Sequence, residues 1–194
     1  MGFYRGPHIV TDGLVLYLDS RNTKSYNSGS LVWSDLARNN INSILENITF
    51  NTNELSIGLV NSSSKVESVI QSINTSNFSI LFTVQLKQTF NQIEVKTRET
   101  TIYTQAPDSS IKFNTFCITF SKLSNIVTER FYINGIEVKV STYTNLQFNL
   151  TSPANLKVLC NNETGTSSIK NLSIYNKTLT PSEILQNYRS FNII

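Results

Sequence analysis

The chain has little charge: Asp, Glu, Lys and Arg make up 15% of its 194 residues, against about 25% in an average soluble protein. With 16 basic and 13 acidic residues its net charge is +3. The basic residues are spread thinly, without the single clustered face that a nucleic-acid binder needs, so no nucleic-acid partner is expected. There is one histidine, His8, and there are two cysteines, Cys117 and Cys160. Such a set cannot build an ordinary structural zinc site without carboxylates. Both cysteines sit in apolar, strand-like contexts and read as buried free thiols. With 7 glycines and 4 prolines, the chain is neither collagen-like nor a low-complexity linker. Leu14–Leu18 is the longest apolar run, far below the ~20 residues of a membrane-spanning helix, so no membrane partner is expected. Residues 1–8 have no apolar segment of the kind a secretory signal carries, and the expectation is a chain that folds in the cytosol where it is made.

In place of charge stand Asn, Ser and Thr, which form roughly a third of the sequence, well above usual composition. Their abundance accounts by chance for the many Asn-x-Ser/Thr triplets. The hydrophobic share of 39% and the aromatic share of 10% supply a core for about one domain. Whole-chain disorder is excluded.

The hydrophobic pattern has a period of two, the signature of strands. Phe78, Ile80, Phe82, Val84 and Leu86 alternate with mostly polar neighbours. Leu14–Leu18 is apolar throughout and reads as a central strand covered on both faces. In Glu129–Val140, Asn134-Gly135 is the preferred pair for a two-residue type I′ turn. Folding there predicts Ile133 opposite Ile136, Tyr132 opposite Glu137, Phe131 opposite Val138 and Arg130 opposite Lys139. Further strands are expected at 44–50, 54–60, 93–103, 111–120, 156–160 and 169–175. About ten short strands at this spacing predict an all-β sandwich of two antiparallel sheets. Thr180-Pro-Ser-Glu183 is a capping box with Pro at the first helical position, so one short helix is expected to close the chain. Residues 1–11 lack alternation and are read as an extended arm, with one domain over 12–194. The expected core includes Leu14, Leu16, Leu18, Trp33, Phe82, Val84, Phe131, Ile133, Val138, Leu172 and Ile174.

The chemistry is sparse. His8 lies in the arm, away from any candidate nucleophile, and no set of carboxylates has the spacing of a glycosidase pair, so no catalytic residue is assigned and the chain is read as a non-enzyme. Asp12, Asp19 and Asp35 are the candidate calcium ligands, but turn chemistry is the favoured reading for each; no metal or cofactor is assigned. Tyr26, Tyr103, Tyr132 and Tyr143 could stack on a sugar ring, although a tyrosine in a sandwich is often half-buried. Trp33 is read as core. Phe3, Tyr4, Arg5 and His8 in the arm are the candidate partner-binding residues, since aromatic side chains and Arg are enriched at interfaces.

Three segments carry a family resemblance. They are Gly6–Asp19 with Asn22–Tyr26 and Trp33–Leu36; the hairpin Phe131-Tyr-Ile-Asn-Gly135; and Lys170–Leu185. They resemble the opening, central hairpin and closing strand and helix of laminin-G-like jelly-roll domains encoded by tailed bacteriophages. The resemblance implies a concanavalin A-like jelly roll on a virion, as a capsid decoration or minor capsid protein whose partners are other virion proteins. The alternative it leaves open is a carbohydrate-binding adhesin on tail or capsid that recognises host-surface glycans.

Overall fold

Alternation builds the larger of two main sheets. In the computed structural model, β7 (Asn77–Leu86) turns Phe78, Ile80, Phe82 and Val84 to one side, where they join the main core. Leu81 points to the other side and joins a second cluster. The structure describes residues 8–37, 39–61, 63–70, 76–86, 93–96, 101–104, 113–144, 154–159 and 167–191.

The remaining elements are β1 (Leu14–Asp19), β2 (Val32–Trp33), β3 (Ser43–Glu46), β4 (Ile48–Asn51), β5 (Ser56–Leu59), β6 (Lys65–Ile70), β8 (Ile93–Lys96), β9 (Thr101–Thr104), β10 (Asn114–Leu123), β11 (Ile126–Ile133), β12 (Ile136–Thr144), β13 (Ala154–Leu159), β14 (Ser167–Tyr175) and α1 (Pro181–Phe191). The larger sheet runs β12-β11-β10-β7-β14-β5-β4, with β1 also paired to β14; the smaller runs β13-β6-β3-β2; β8 and β9 pair with each other. Sequence alternation suggested single strands over 44–50 and 93–103. The first is two strands in different sheets, because Asn47 takes a φ of 48° and turns the chain between β3 and β4. The second divides into the antiparallel pair β8–β9.

The core lies between the two main sheets. Phe116, Ile118, Phe120, Val127, Phe131, Leu172 and Ile174 meet Trp33, Leu45, Val66 and Ile70 there. Phe82, Phe116 and Phe131 stack in a row across β7, β10 and β11, with centroid separations of 5.5 and 6.0 Å. Of the expected core, Leu16, Leu18, Trp33, Val84, Phe131, Leu172 and Ile174 are buried, and Leu14, Phe82 and Ile133 pack partly buried against it. Val138 is exposed and is corrected below.

The helix makes a third layer on the outer face of the larger sheet. Ile184 and Phe191 pack with Leu81, Cys117, Tyr132, Tyr175 and Leu179. This layer explains why β1 reads as apolar throughout. It is not a central strand; it pairs with β14 alone. Its two faces are nonetheless both covered, Leu16 and Leu18 by the core and Leu14 and Tyr17 by the helical layer. The capping box forms as the sequence predicts: the Thr180 N–H donates to Glu183 Oε2 (2.9 Å) and the Glu183 N–H to Thr180 Oγ1 (3.4 Å). No helix among the described residues is long and apolar enough to cross a membrane.

Candidate binding site

The hairpin β11–β12 carries the most distinctive polar group of the fold. Val127, Glu129 and Phe131 alternate onto the inner face of β11. Val127 and Phe131 enter the core, and Glu129 stands between them with 2% of its surface exposed. On β12 the partners of these residues are Tyr143, Ser141 and Lys139. Residues directly opposite in an antiparallel pair share a face, so the three line the inner side next to Glu129. Tyr143 donates its hydroxyl to Glu129 Oε2 at 3.1 Å. That is the one hydrogen bond of the carboxylate among the described residues. Burial pushes the Glu129 carboxyl above the usual carboxylate range, while the Tyr143 hydrogen bond and the Lys139 charge pull it back. Burial and the Glu129 charge raise Tyr143 in turn.

β12 lies at the end of the larger sheet, and none of its described side chains belongs to the core. Lys139 is exposed and Ser141 and Tyr143 are half-buried. The arrangement puts a buried carboxylate acceptor, a half-buried tyrosine ring and an exposed lysine on one face. Such a set accepts hydroxyl donors and stacks on the flat face of a ring.

The register of this hairpin departs from the expected one after two pairs. Asn134 and Gly135 have φ of 53° and 82°, as a type I′ turn requires, and Ile133↔Ile136 and Tyr132↔Glu137 form. Then a bulge intervenes, so that Phe131 pairs with Lys139 and Arg130 with Val140. Glu137 is held on the outer face by Tyr132 and Arg130, each donating to its Oε2 at 2.9 Å. Burial together with Glu137 pushes the Tyr132 phenol up to about 12. Val138 is the inserted residue and stands 51% exposed, so the expectation that it belongs to the core is overturned. Ile136 and Val140 are likewise exposed.

The other candidates scatter. Phe3, Tyr4 and Arg5 lie outside the described residues. His8 is exposed, and its carbonyl accepts from Gln186 Nε2 at 2.7 Å. Beside it, the Val10 N–H donates to Asn187 Oδ1 (2.8 Å) and the Val10 carbonyl accepts from the Tyr175 hydroxyl (3.0 Å). Residues 8–10 are thus tied to α1 and β14. Tyr26 is buried against Phe50, and Tyr132 lies under the helix. The side chain of Tyr103 is outside the described set, which leaves Tyr143 as the half-buried ring of the four. Asp19 and Asp35 are occupied by turn and side-chain donors: Asp19 by Arg21 and Tyr17, Asp35 by the N–H groups of Tyr17, Ala37 and Asn39. Asp12 pairs with Lys177 at 2.6 Å. Among the described residues no three His, Cys, Asp or Glu side chains stand close enough to hold a metal ion. Cys117 is a buried free thiol, raised by burial; Cys160 lies outside the described residues.

Glu129 was not among the sequence candidates, although a signal for it exists. A carboxylate two residues from Val127 and two from Phe131 falls on the apolar face of a strand, where burial of a charge demands a partner.

Two antiparallel sheets packed face to face with a closing helix define a concanavalin A-like jelly roll. Residues 38–185 match the family described as the concanavalin A-like lectin/glucanases superfamily, with a laminin-G-type domain, and the chain belongs to it. No curated protein sequence matches the chain. Among solved structures, the binding domain of botulinum neurotoxin DC in complex with rat synaptotagmin II superposes with a TM-score of 0.72 at 16% identity, over 94% of this chain and 52% of that one. The same binding domain in complex with SialylT gives 0.70 at 16% identity, over 94% and 52%. Trypanosoma rangeli sialidase in complex with sialic acid gives 0.65 at 14% identity, over 92% and 33%. The chain spans about half the length of the toxin domains and a third of the sialidase. At these identities the likeness establishes the fold.

Proposed function

We propose that this chain is a non-catalytic recognition domain of a bacteriophage virion, held to other virion proteins through its N-terminal segment. The virion assignment rests on the sequence resemblance of the opening block. The geometry that supports docking through this segment is the anchorage of residues 8–10 on Asn187, Gln186 and Tyr175, which gives Phe3, Tyr4 and Arg5 a fixed starting point. Quantitative mass spectrometry of purified particles tests the assignment. A copy number in the hundreds fits a capsid decoration and about a dozen fits a tail or vertex component. Absence from particles overturns it.

A second reading is favoured by Glu129 and Tyr143: the domain binds host-surface glycans on the inner face of β11–β12. The buried carboxylate would accept a pair of sugar hydroxyls, and the Tyr143 ring would carry the sugar's apolar face. The fold shared with a SialylT-bound toxin domain and a sialic acid-bound sialidase is consistent with that reading. A polysaccharide screen by calorimetry should find a ligand of millimolar Kd or better. Binding should weaken at least about tenfold in Glu129→Gln and in Tyr143→Ala, a loss matching one charge-assisted hydrogen bond. A ligand whose affinity is unchanged in both variants places the site elsewhere.

A further inference from the structure

Among the described residues β12 is the last strand of the larger sheet and pairs with β11 alone, which leaves its other side as an unpaired edge. Its residues 136–140, 142 and 144 are exposed. Ile136 is 70%, Val138 51% and Val140 45% exposed, and Ile126 on the adjoining strand is 45% exposed. An edge rich in β-branched residues is a template for another strand. The bulge interrupts its first part only; from Lys139 to Thr144 the pairing with β11 runs without a break.

We propose that β12 pairs antiparallel with β12 of a second copy of this chain about a two-fold axis at Ser141. Three constraints narrow the register, and charge complementarity selects among those that remain. Directly opposite residues must share a face, the axis must lie outside the bulge, and like charges must not meet. Centring the axis on Val138 would use the bulge, and centring it on Lys139 would oppose two ammonium groups. Centring it on Ser141 sets Ser141 opposite the partner's Ser141, Val140 opposite the partner's Thr142, and Lys139 opposite the partner's Tyr143. The last pair supplies charge complementarity. Tyr143 holds the Glu129 carboxylate at 3.1 Å, so the partner's Lys139 arrives beside a buried carboxylate and an aromatic ring, both favourable to an ammonium. The pairing occurs twice by symmetry. On the outer face the partner's Val138 comes opposite Thr144 and next to Ile126, which covers exposed apolar surface. The two larger sheets then continue as one, and the inner face of the seam carries Lys139, Ser141 and Tyr143 from both copies. The inference is independent of the virion assignment, since it concerns the isolated chain.

The test uses the purified full chain. Sedimentation equilibrium should show a monomer–dimer equilibrium with a Kd of about 1–100 µM, the range of a small interface. Ser141→Cys should give a covalent dimer on oxidation, because residue 141 faces its own copy within disulfide reach. Ile136→Cys, more exposed than Ser141 but far from its own copy, should not; the unsubstituted chain run in parallel accounts for Cys117 and Cys160. Lys139→Glu and Val140→Lys should each weaken dimerisation at least about tenfold, with a far-UV circular dichroism spectrum that shows each variant folded. A chain that stays monomeric at about 500 µM, well above that range, overturns the proposal. So does a dimer in which Ser141→Cys cross-links no better than Ile136→Cys, or one that survives both charge substitutions. The last two outcomes place the interface on another face, and capture of an extended peptide by the monomer would show that the edge serves a different partner.

Discussion

At the scale of single residues, Gly135 and Glu129 carry the heaviest constraints. Gly135 takes a φ of +82°, and a Cβ there would meet Leu185 Cδ1 of the helix at 3.0 Å. The residue is therefore required both by the turn and by the approach of α1. Gly135→Ala should destabilise the fold by about 1–2 kcal/mol, the cost of an L-residue in the left-handed region, read as a lower midpoint in urea at constant slope. For Glu129 the folded-state pKa is raised, chiefly by burial. The native state then binds the proton more tightly than the unfolded chain. Its contribution to stability is fully present below the unfolded carboxylate pKa and is lost as pH rises through the folded value. Glu129→Gln should flatten this part of the pH–stability profile and raise stability at pH 7–8. Urea midpoints at pH 4, 5, 6 and 7.5 check it; a variant with the same slope as the parent would remove Glu129 from the account.

At the scale of elements, the capping box and the hairpin show what local sequence can and cannot specify. Thr180 and Glu183 exchange hydrogen bonds, and Lys177 adds a contact to Glu183 at 2.8 Å. Thr180→Ala should cost about 1 kcal/mol, measured by thermal melting with the helical signal followed by circular dichroism. Both the helix and the Asn134-Gly135 turn were legible because their determinants lie within a few residues. The bulge was not. It lets Glu137 reach Tyr132 and Arg130 on the outer face while Lys139 returns to the inner one. Tyr132 is placed by the helix packed over it, a partner more than forty residues away in the chain. Val138 failed as a core residue for the same reason: as the inserted residue it gives up the place opposite Phe131 to Lys139. The division of 44–50 into two sheets was hidden because Asn47 adopts its left-handed turn only in context. Glu129 stood on the legible apolar face, but its Tyr143 partner is set by the β11–β12 register beyond the bulge.

At the scale of the molecule, the sequence's two ends build one layer. β1 pairs with β14, and residues 8–10 bind α1 and β14. The resemblance of the opening and closing blocks to one family is, in the structure, a resemblance of contacting parts. This fixes where truncation is tolerated. Removal of residues 1–7 keeps the bonds of residues 8–10 to α1 and β14 and should abolish incorporation into particles while the domain stays folded. Removal of residues 1–11 takes away buried Val10 and its bonds to Asn187 and Tyr175. It should lower stability by roughly 3–5 kcal/mol, the sum of one buried aliphatic side chain and two lost buried hydrogen bonds. Particle incorporation of the shorter truncation at the parental level would remove the arm from the docking account.

The place of β14 in the larger sheet has a consequence for how the chain is made. β14 holds β7 on one side and β1 and β5 on the other, and among the described strands it is the last in chain order. Until Ser167–Tyr175 leaves the ribosome, β1 has no partner and the sheet remains in two halves with open edges. Folding of the domain must therefore wait until β14 has emerged, with the long loop closures that slow such topologies. The nascent chain spends its synthesis with the edges of β7 and β5 unpaired, and its low charge gives little repulsion to keep neighbouring chains apart. Slow synthesis at low temperature, which limits the number of unfinished chains present at once, should accordingly raise the soluble yield of this domain.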